Sequence, residues 1–183
     1  QGAAFISIAA ENPDLFSDVD PKRLTEAGQT AGKALQGYRA RLMSNQNTWC
    51  VVSVPTPAWA CKVFPHETEE TAVARLWTEI LRAVRVSEES DPVAAWKEHV
   101  SALQKTADFL NAHDFLELHY RNGLGTDLHV ELPKGHIWMG GAERAASGTM
   151  FVANIPTEEV YTLPKRDGVN GVVVASKPLH YNG

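Results

Sequence analysis

The run Trp49-Cys50-Val51-Val52-Ser53-Val54 constrains the fold of this chain more than any other stretch. It is apolar on both faces of an extended backbone and is stopped by Pro55 and Pro57. A strand with no wet face has to be covered on both sides, which is the position of a strand in a parallel sheet layered with helices. Residues 3–9 form a second β-prone run ahead of it. Helix signals surround these two. Asp20-Pro21 and Asp91-Pro92 each set a capping carboxylate before a proline at the first helical position.

After Asp20, the residues Leu24, Ala27, Ala31, Ala34, Leu35, Tyr38 and Leu42 recur every third or fourth position. That spacing predicts one long helix with a packed face. Gly28, Gly32 and Gly37 weaken it, so it needs tertiary support. Ala58 to Phe64 reads as a short helix, and residues 69–84 as a longer one with Val73, Leu76, Trp77, Ile80 and Val84 on one stripe. A further helix starts at Asp91 and carries Val93, Trp96, Val100, Leu103, Ala107 and Leu110. Trp77 and Trp96 lie on these stripes and are expected as core anchors rather than ligand-stacking groups. Strand, helix, strand, helix, helix is the order of an α/β layer.

The pattern changes after Asn111. Phe115 to Tyr120 and Asp127 to Leu132 alternate with period two around the turn Arg121-Asn122-Gly123-Leu124-Gly125. This predicts an antiparallel hairpin with one wet face. His136 to Met139 reads as a short strand, and Gly140 to Gly148 as a loop of small residues. Val160 to Leu163 and Gly171 to Ser176 read as two more strands around the turn Lys165 to Gly168. The expected architecture is therefore α/β over residues 1–112, with a partial parallel sheet and helices, followed by a β-rich (α+β) part with antiparallel strands over 113–183. There is no internal repeat and no low-complexity tract.

Composition narrows the function classes. The chain has 183 residues, 44% of them hydrophobic, and a formal charge of −5. Mild acidity argues against nucleic acid as a partner, which calls for a basic face. No apolar run approaches the roughly 18 residues of a membrane span, so no membrane partner is expected. The first residues lack the positive region of a signal peptide. The two cysteines do not make a disulfide framework, and Cys50 reads as a small buried hydrophobe. The expected location is the cytoplasm.

Seven histidines invite a search for a metal site. There is no His-Glu-x-x-His helix motif and no Cys-x-x-Cys pair. His119, His129 and His136 lie on neighbouring β segments, and cross-strand histidines can ligate zinc. Their charged and polar neighbours favour surface or hydrogen-bonded histidines instead. His66 with Glu67, Glu69 and Glu70 reads as a helix N-terminus, where carboxylates complement the dipole. There is no Gly-x-Ser-x-Gly elbow, and Gly123-Leu124-Gly125 is not followed by the third glycine and helix of a nucleotide site.

What remains is Asn154-Ile155-Pro156-Thr157-Glu158-Glu159-Val160-Tyr161-Thr162-Leu163-Pro164. Two adjacent carboxylates follow a Pro-Thr turn and open a β-prone run. In a strand their side chains would point to opposite faces. One such carboxylate suits a divalent metal as a hard oxygen ligand, or serves as a general base. Glutamates after a turn are, however, most often simply solvated.

This run, together with Gly171-Val172-Val173-Val174 and Lys177-Pro178-Leu179, resembles the thermophilic-type metallo-aminopeptidases of peptidase family M29, the aminopeptidase T, AmpS and PepS group. Pro55-Thr56-Pro57-Ala58-Trp59-Ala60, Asp91-Pro92-Val93-Ala94-Ala95-Trp96, Gly125-Thr126-Asp127-Leu128 and Gly135-His136-Ile137-Trp138 extend the resemblance in the same order. It covers Gly2 to Gly183. The resemblance implies hydrolysis of N-terminal amino acids from peptides by a water activated between two divalent ions, zinc or cobalt foremost, with magnesium or manganese as further options. It implies that Glu159 is a metal ligand, that Glu158 and Thr157 support it from behind, and that residues 113–183 begin a metal-binding catalytic domain. The other ligands and the catalytic residues are expected outside this chain, which resembles an internal fragment of a longer protein and is expected to be inactive alone. A homodimer is implied for the complete protein. The rival expectation, from a different class, is a non-catalytic scaffold or an oligomerisation and interaction module whose β-rich part pairs with a partner strand.

Overall fold

The computed structural model describes residues 2–10 and 12–177, so Pro178 and Leu179 of the last motif lie outside the described residues. In chain order the elements are β1 (Ala4–Ala9), α1 (Pro21–Ala34), α2 (Gln36–Met43), β2 (Thr48–Ser53), α3 (Pro57–Val63), α4 (Glu69–Ala83) and α5 (Pro92–Asn111). Then follow β3 (Glu117–Arg121), β4 (Asp127–Glu131), β5 (Met139–Gly140), β6 (Glu143–Arg144), β7 (Met150–Phe151), β8 (Val160–Tyr161) and β9 (Val169–Val172). The order is α/β and then β-rich, as expected. The chain packs as two compact units, Gln1–Val100 with Ala142–Glu158, and Ser101–Gly141 with Glu159–Gly183. The expected division at residue 112 is a single cut in sequence, whereas these units interleave.

In the first unit β1 and β2 pair in parallel, with Ile6 opposite Cys50 and Ile8 opposite Val52. Residues 153–155 run along the far side of β2. Val51 N–H donates to the Ala153 carbonyl at 2.8 Å, and Ile155 N–H donates to the Val51 carbonyl at 3.0 Å. The sequence run that demanded cover on both faces is half-buried along its length and not fully enclosed. The small core is Ala60, Ala72 and Leu76, where α3 meets α4, with Trp59, Phe64, Val73 and Ile80 against it.

Capping follows the sequence signals. The Asp20 carboxylate accepts from Lys22 N–H at 2.9 Å, and Thr56 and Thr68 cap α3 and α4. Glu69 and Glu70 fill the first turn of α4, in line with a helix N-terminus. The single long helix expected from Asp20 to Leu42 is instead two, broken at Leu35 (φ −96°, ψ 5°). Neither half has a buried residue. Its glycines each cost about 1 kcal/mol of helix propensity, and no packed face offsets them. Trp77 is also not the core anchor expected, being 40% exposed. The buried residues of α4 are Ala72 and Leu76, with Val73 and Ile80 packed beside them.

In the second unit β3, β4 and β9 form an antiparallel sheet in that order. The hairpin register pairs Glu117 with Glu131, His119 with His129 and Arg121 with Asp127. Asn122 shapes the turn, its side-chain oxygen accepting from Leu124 N–H at 2.9 Å and Thr126 N–H at 3.2 Å. The other face of β3 supplies Leu118 to a core of Ala107, Leu132 and Trp138, with Leu110, Phe115 and Val160 beside it. Three strands are shorter or shifted relative to expectation. Of residues 136–139 only Met139 is in a strand, which continues to Gly140; β8 stops at Tyr161, and β9 occupies 169–172 rather than 171–176. Two short strands, β6 and β7, pair inside the first unit where the sequence reads mainly as loop. Paired strands this short have little alternation to be recognised by.

Candidate functional site

Glu158 closes the first unit and Glu159 opens the second stretch of the other. Strand β8 begins at Val160, so neither glutamate is in the strand whose alternation was expected to part them.

Glu158 is held by groups far away in sequence. Arg85 approaches it with both terminal guanidinium nitrogens, at 2.6 Å to Oε1 and 2.7 Å to Oε2. A planar fork on a planar carboxylate fixes orientation as well as charge. Arg85 is the residue just past the end of α4 and has a left-handed backbone, φ 58°. That turn re-aims the chain out of the helix. Trp96 on α5 secures the same corner. Its indole N–H donates to the carbonyl of Val84, the C-cap of α4, at 2.7 Å, and its ring lies 5.6 Å from the Arg85 guanidinium. Trp96 is therefore half-buried and works through its polar edge, in addition to its apolar body.

One turn further along α5, His99 stands edge-on to Trp96. Its Nε2 lies 2.7 Å from the Thr157 carbonyl and 3.6 Å from Glu158 Oε2. Nε2–H donates to that carbonyl, since the oxygen can only accept. Thr157 itself is 9% exposed. The hydrogen bond from Arg85 is the main cause that holds the Glu158 carboxyl below the usual carboxylate range; burial opposes it, and the charges of Arg85 and His99 add to it. The same pair pushes Arg85 up.

Glu159, in the second unit, is exposed. The strand pair that follows it fixes its backbone. Gly140 on β5 faces Val160 on β8. A Cβ at Gly140 would lie 2.7 Å from Val160 Cγ1 and 2.8 Å from the Glu159 carbonyl oxygen, so only glycine permits this approach. Asn111, the last residue of α5, grips the neighbouring segment with both ends of its amide. It donates to the Trp138 carbonyl at 2.9 Å and accepts from Trp138 N–H at 2.8 Å.

The sequence singled out Thr157, Glu158 and Glu159 but missed Arg85 and His99. The signal available was the i, i+3 spacing of Trp96 and His99, which puts two rings with polar edges on one side of α5. His119 and His129 do come together, and His136 does not join them; its Nδ1 lies 3.1 Å from the Pro133 carbonyl. Volume is no guide to the chemistry here. A cleft of about 790 Å³ is lined by Arg41, Asn47 and Ser147 and by neither glutamate.

Comparison with known proteins decides the family. The whole chain, residues 1–183, matches the thermophilic metalloprotease family M29. This chain belongs to that family. It is 51% identical over 183 residues to Aminopeptidase 2 of Geobacillus stearothermophilus, covering 100% of this chain and 44% of that protein. It is 47% identical over 182 residues to Aminopeptidase AmpS of Bacillus subtilis strain 168, with 100% of this chain and 44% of the relative covered. Among solved structures, wild-type AmpT from Thermus thermophilus superposes with a TM-score of 0.87 at 37% identity, over 97% of this chain and 43% of that one. The chain thus spans less than half the length of the relatives it matches.

M29 is a metalloprotease family, so the fit of a metal at Glu159 has to be tested on the residues present. Among the described residues, one group of three or more metal-ligating side chains comes together, His119, Asp127 and His129, and Glu159 is not in it. A catalytic zinc needs about three protein ligands. The described residues therefore do not by themselves make a metal centre around Glu159.

Proposed function

We propose that this chain is part of a metal-dependent aminopeptidase that hydrolyses N-terminal amino acids from peptides with two divalent ions. Zinc or cobalt is the first choice, magnesium or manganese the second. Glu159 supplies one carboxylate ligand, and Glu158 and Thr157 hold the segment that carries it. The observation that carries this reading is the engagement of both Glu158 oxygens by Arg85. It supports a structural role for Glu158, with Glu159 as the ligand. Family membership supports the peptidase class. The remaining ligands belong, in this proposal, to the parts of a longer protein that this chain does not include, since the relatives are more than twice its length. The 183-residue chain alone is accordingly expected to be inactive.

The test is an assay of the full-length protein on a peptide with a free N-terminus and on its N-acetylated counterpart, with and without chelator. Release of the first amino acid from the free peptide only, abolished by chelator and restored by metal, supports the reading. Cleavage that ignores chelator, or that proceeds equally on the acetylated peptide, sinks it.

A cytoplasmic location belongs to the same proposal, supported by two free thiols, Cys50 and Cys61. No helix among the described residues is long and apolar enough to cross a membrane. One observation favours an interaction module, though through the α/β part and not the β-rich part expected. Ile6 and Ile8 on β1 are 71% and 61% exposed, and among the described residues β1 pairs on one side only, with β2. Self-association to a homodimer accommodates both readings. Light scattering on the full-length protein at micromolar concentration should give twice the monomer mass, and a monomer mass would contradict it.

A further inference from the structure

The wet face of the β3–β4 hairpin carries a group of side chains that the aminopeptidase reading does not use. Glu117, His119 and Arg121 alternate onto one face of β3, and Asp127, His129 and Glu131 face the same way from β4. His119 and His129 are directly opposed across the ladder, and their rings stack with centroids 3.9 Å apart at 18°. Asp127 sits two residues before His129 on the same face. Its Oδ1 is 2.7 Å from His119 Nε2 and 3.7 Å from His129 Nε2.

We propose that His119, Asp127 and His129 form a binding site for a first-row divalent transition ion such as zinc, nickel or copper. One ligand atom from each of the three residues lies within 4.8 Å of the others. Bond lengths of about 2.0–2.2 Å around tetrahedral zinc put neighbouring ligand atoms about 3.3 Å apart, a value bracketed by the two distances to Asp127. Two imidazoles and one carboxylate select such ions over magnesium and calcium, which prefer oxygen alone.

The surroundings fit the site beyond the three ligands. Glu117 Oε1 lies 2.7 Å from His129 Nδ1. With Nδ1–H donating to that carboxylate, Nε2 of His129 carries the lone pair on the side of Asp127. A carboxylate on the second ring nitrogen is the usual outer partner of a metal-bound histidine. Arg121 Nε is 3.6 Å from the other Asp127 oxygen, Oδ2, which leaves Oδ1 to the imidazoles. Without an ion, His119 Nε2–H donates to Asp127. Binding requires His119 to carry its proton on Nδ1 and both rings to turn out of their stack toward Oδ1. Side-chain exposures of 40% and 45% leave room for that rotation.

The site joins β3 to β4, so an ion there cross-links the hairpin. It is independent of Glu159, and the experiment separates the two. Zinc and nickel are titrated calorimetrically into the full-length protein in which Glu159→Gln has already been made, and copper is added for electron paramagnetic resonance. The expected result is one equivalent bound, with nitrogen hyperfine structure from two imidazoles and a higher melting temperature. Adding His119→Gln or His129→Gln should abolish that equivalent and the melting shift. Adding Glu117→Gln should weaken binding about 10- to 100-fold, as loss of an outer partner does. No equivalent bound in the Glu159→Gln protein, or an equivalent that survives both histidine substitutions, overturns the proposal. Neither result bears on the peptidase assay.

Discussion

Replacing Arg85 by Gln should loosen Glu158 by an amount that a double-mutant cycle can read. The arginine makes two hydrogen bonds to the carboxylate and lies over Trp96. Hydrogen bonds to charged groups contribute about 1.5–3 kcal/mol when well shielded. Here the side chains are 28% and 56% exposed, so the value for solvent-screened pairs, about 0.2–1 kcal/mol, is the better guide. The contact with Trp96 adds about 0.5 kcal/mol at such a site. The single variant should therefore lose about 0.7–1.5 kcal/mol, and because the contact is bidentate its coupling to Glu158→Gln should lie in the upper part of the pair range, about 0.5–1 kcal/mol. Urea unfolding of the full-length protein, followed by two probes whose transitions coincide, measures all four corners. The pH dependence gives a second check. Because the folded-state pKa of Glu158 is lowered, its contribution is complete above the unfolded carboxyl value of about 4.3 and is lost as pH falls through the folded value. The gap between the parent and Arg85→Gln should thus be constant at neutral pH and close in acid. A coupling within about 0.3 kcal/mol of zero, the scatter of independent sites, would refute the view that this pair holds the segment.

Further outcomes follow from the other contacts. Gly140→Val should destabilise the protein by about 1–3 kcal/mol, the cost of overpacking, and should lower metal content because the clash is with the backbone of Glu159 and Val160. Gly123→Ala is the control: nothing lies within 4 Å of its added carbon, and its effect should stay within about 0.5 kcal/mol. Asn111→Ala removes both bonds to the Trp138 backbone and should cost about 1–3 kcal/mol. Denaturant midpoints check all three variants.

The local grammar of the chain is legible in its sequence wherever one short window contains the cause. The aspartate and proline at the start of α1 carry their own instruction, and Asp91 likewise accepts from Val93 N–H at 2.9 Å. The hairpin is legible because its apolar and polar residues alternate, with Leu118, Leu128 and Val130 half-buried on one face. The break at Leu35 is not, because it depends on whether anything packs against the helix. The site shows the same limit. Thr157, Glu158 and Glu159 gain their roles from the family resemblance and not from the residue pattern alone, and Arg85 is 73 positions from Glu158, with no local pattern to link them. His119 and His129 are individually visible, yet only the register fixed by the Asn122 turn sets them face to face. Trp96 illustrates a mixed outcome. Its stripe position marks it as apolar packing, whereas its indole N–H on the Val84 carbonyl emerges only from the turn at Arg85.

In the proposed function Glu159, and not its neighbour, binds the metal of an aminopeptidase. Bound metal per chain and leucine-anilide hydrolysis, measured on full-length Glu159→Gln and Glu158→Gln proteins, test it most directly. Glu159→Gln should lose metal and activity together, while Glu158→Gln keeps its metal and loses stability. Unchanged metal content and activity in Glu159→Gln would contradict it.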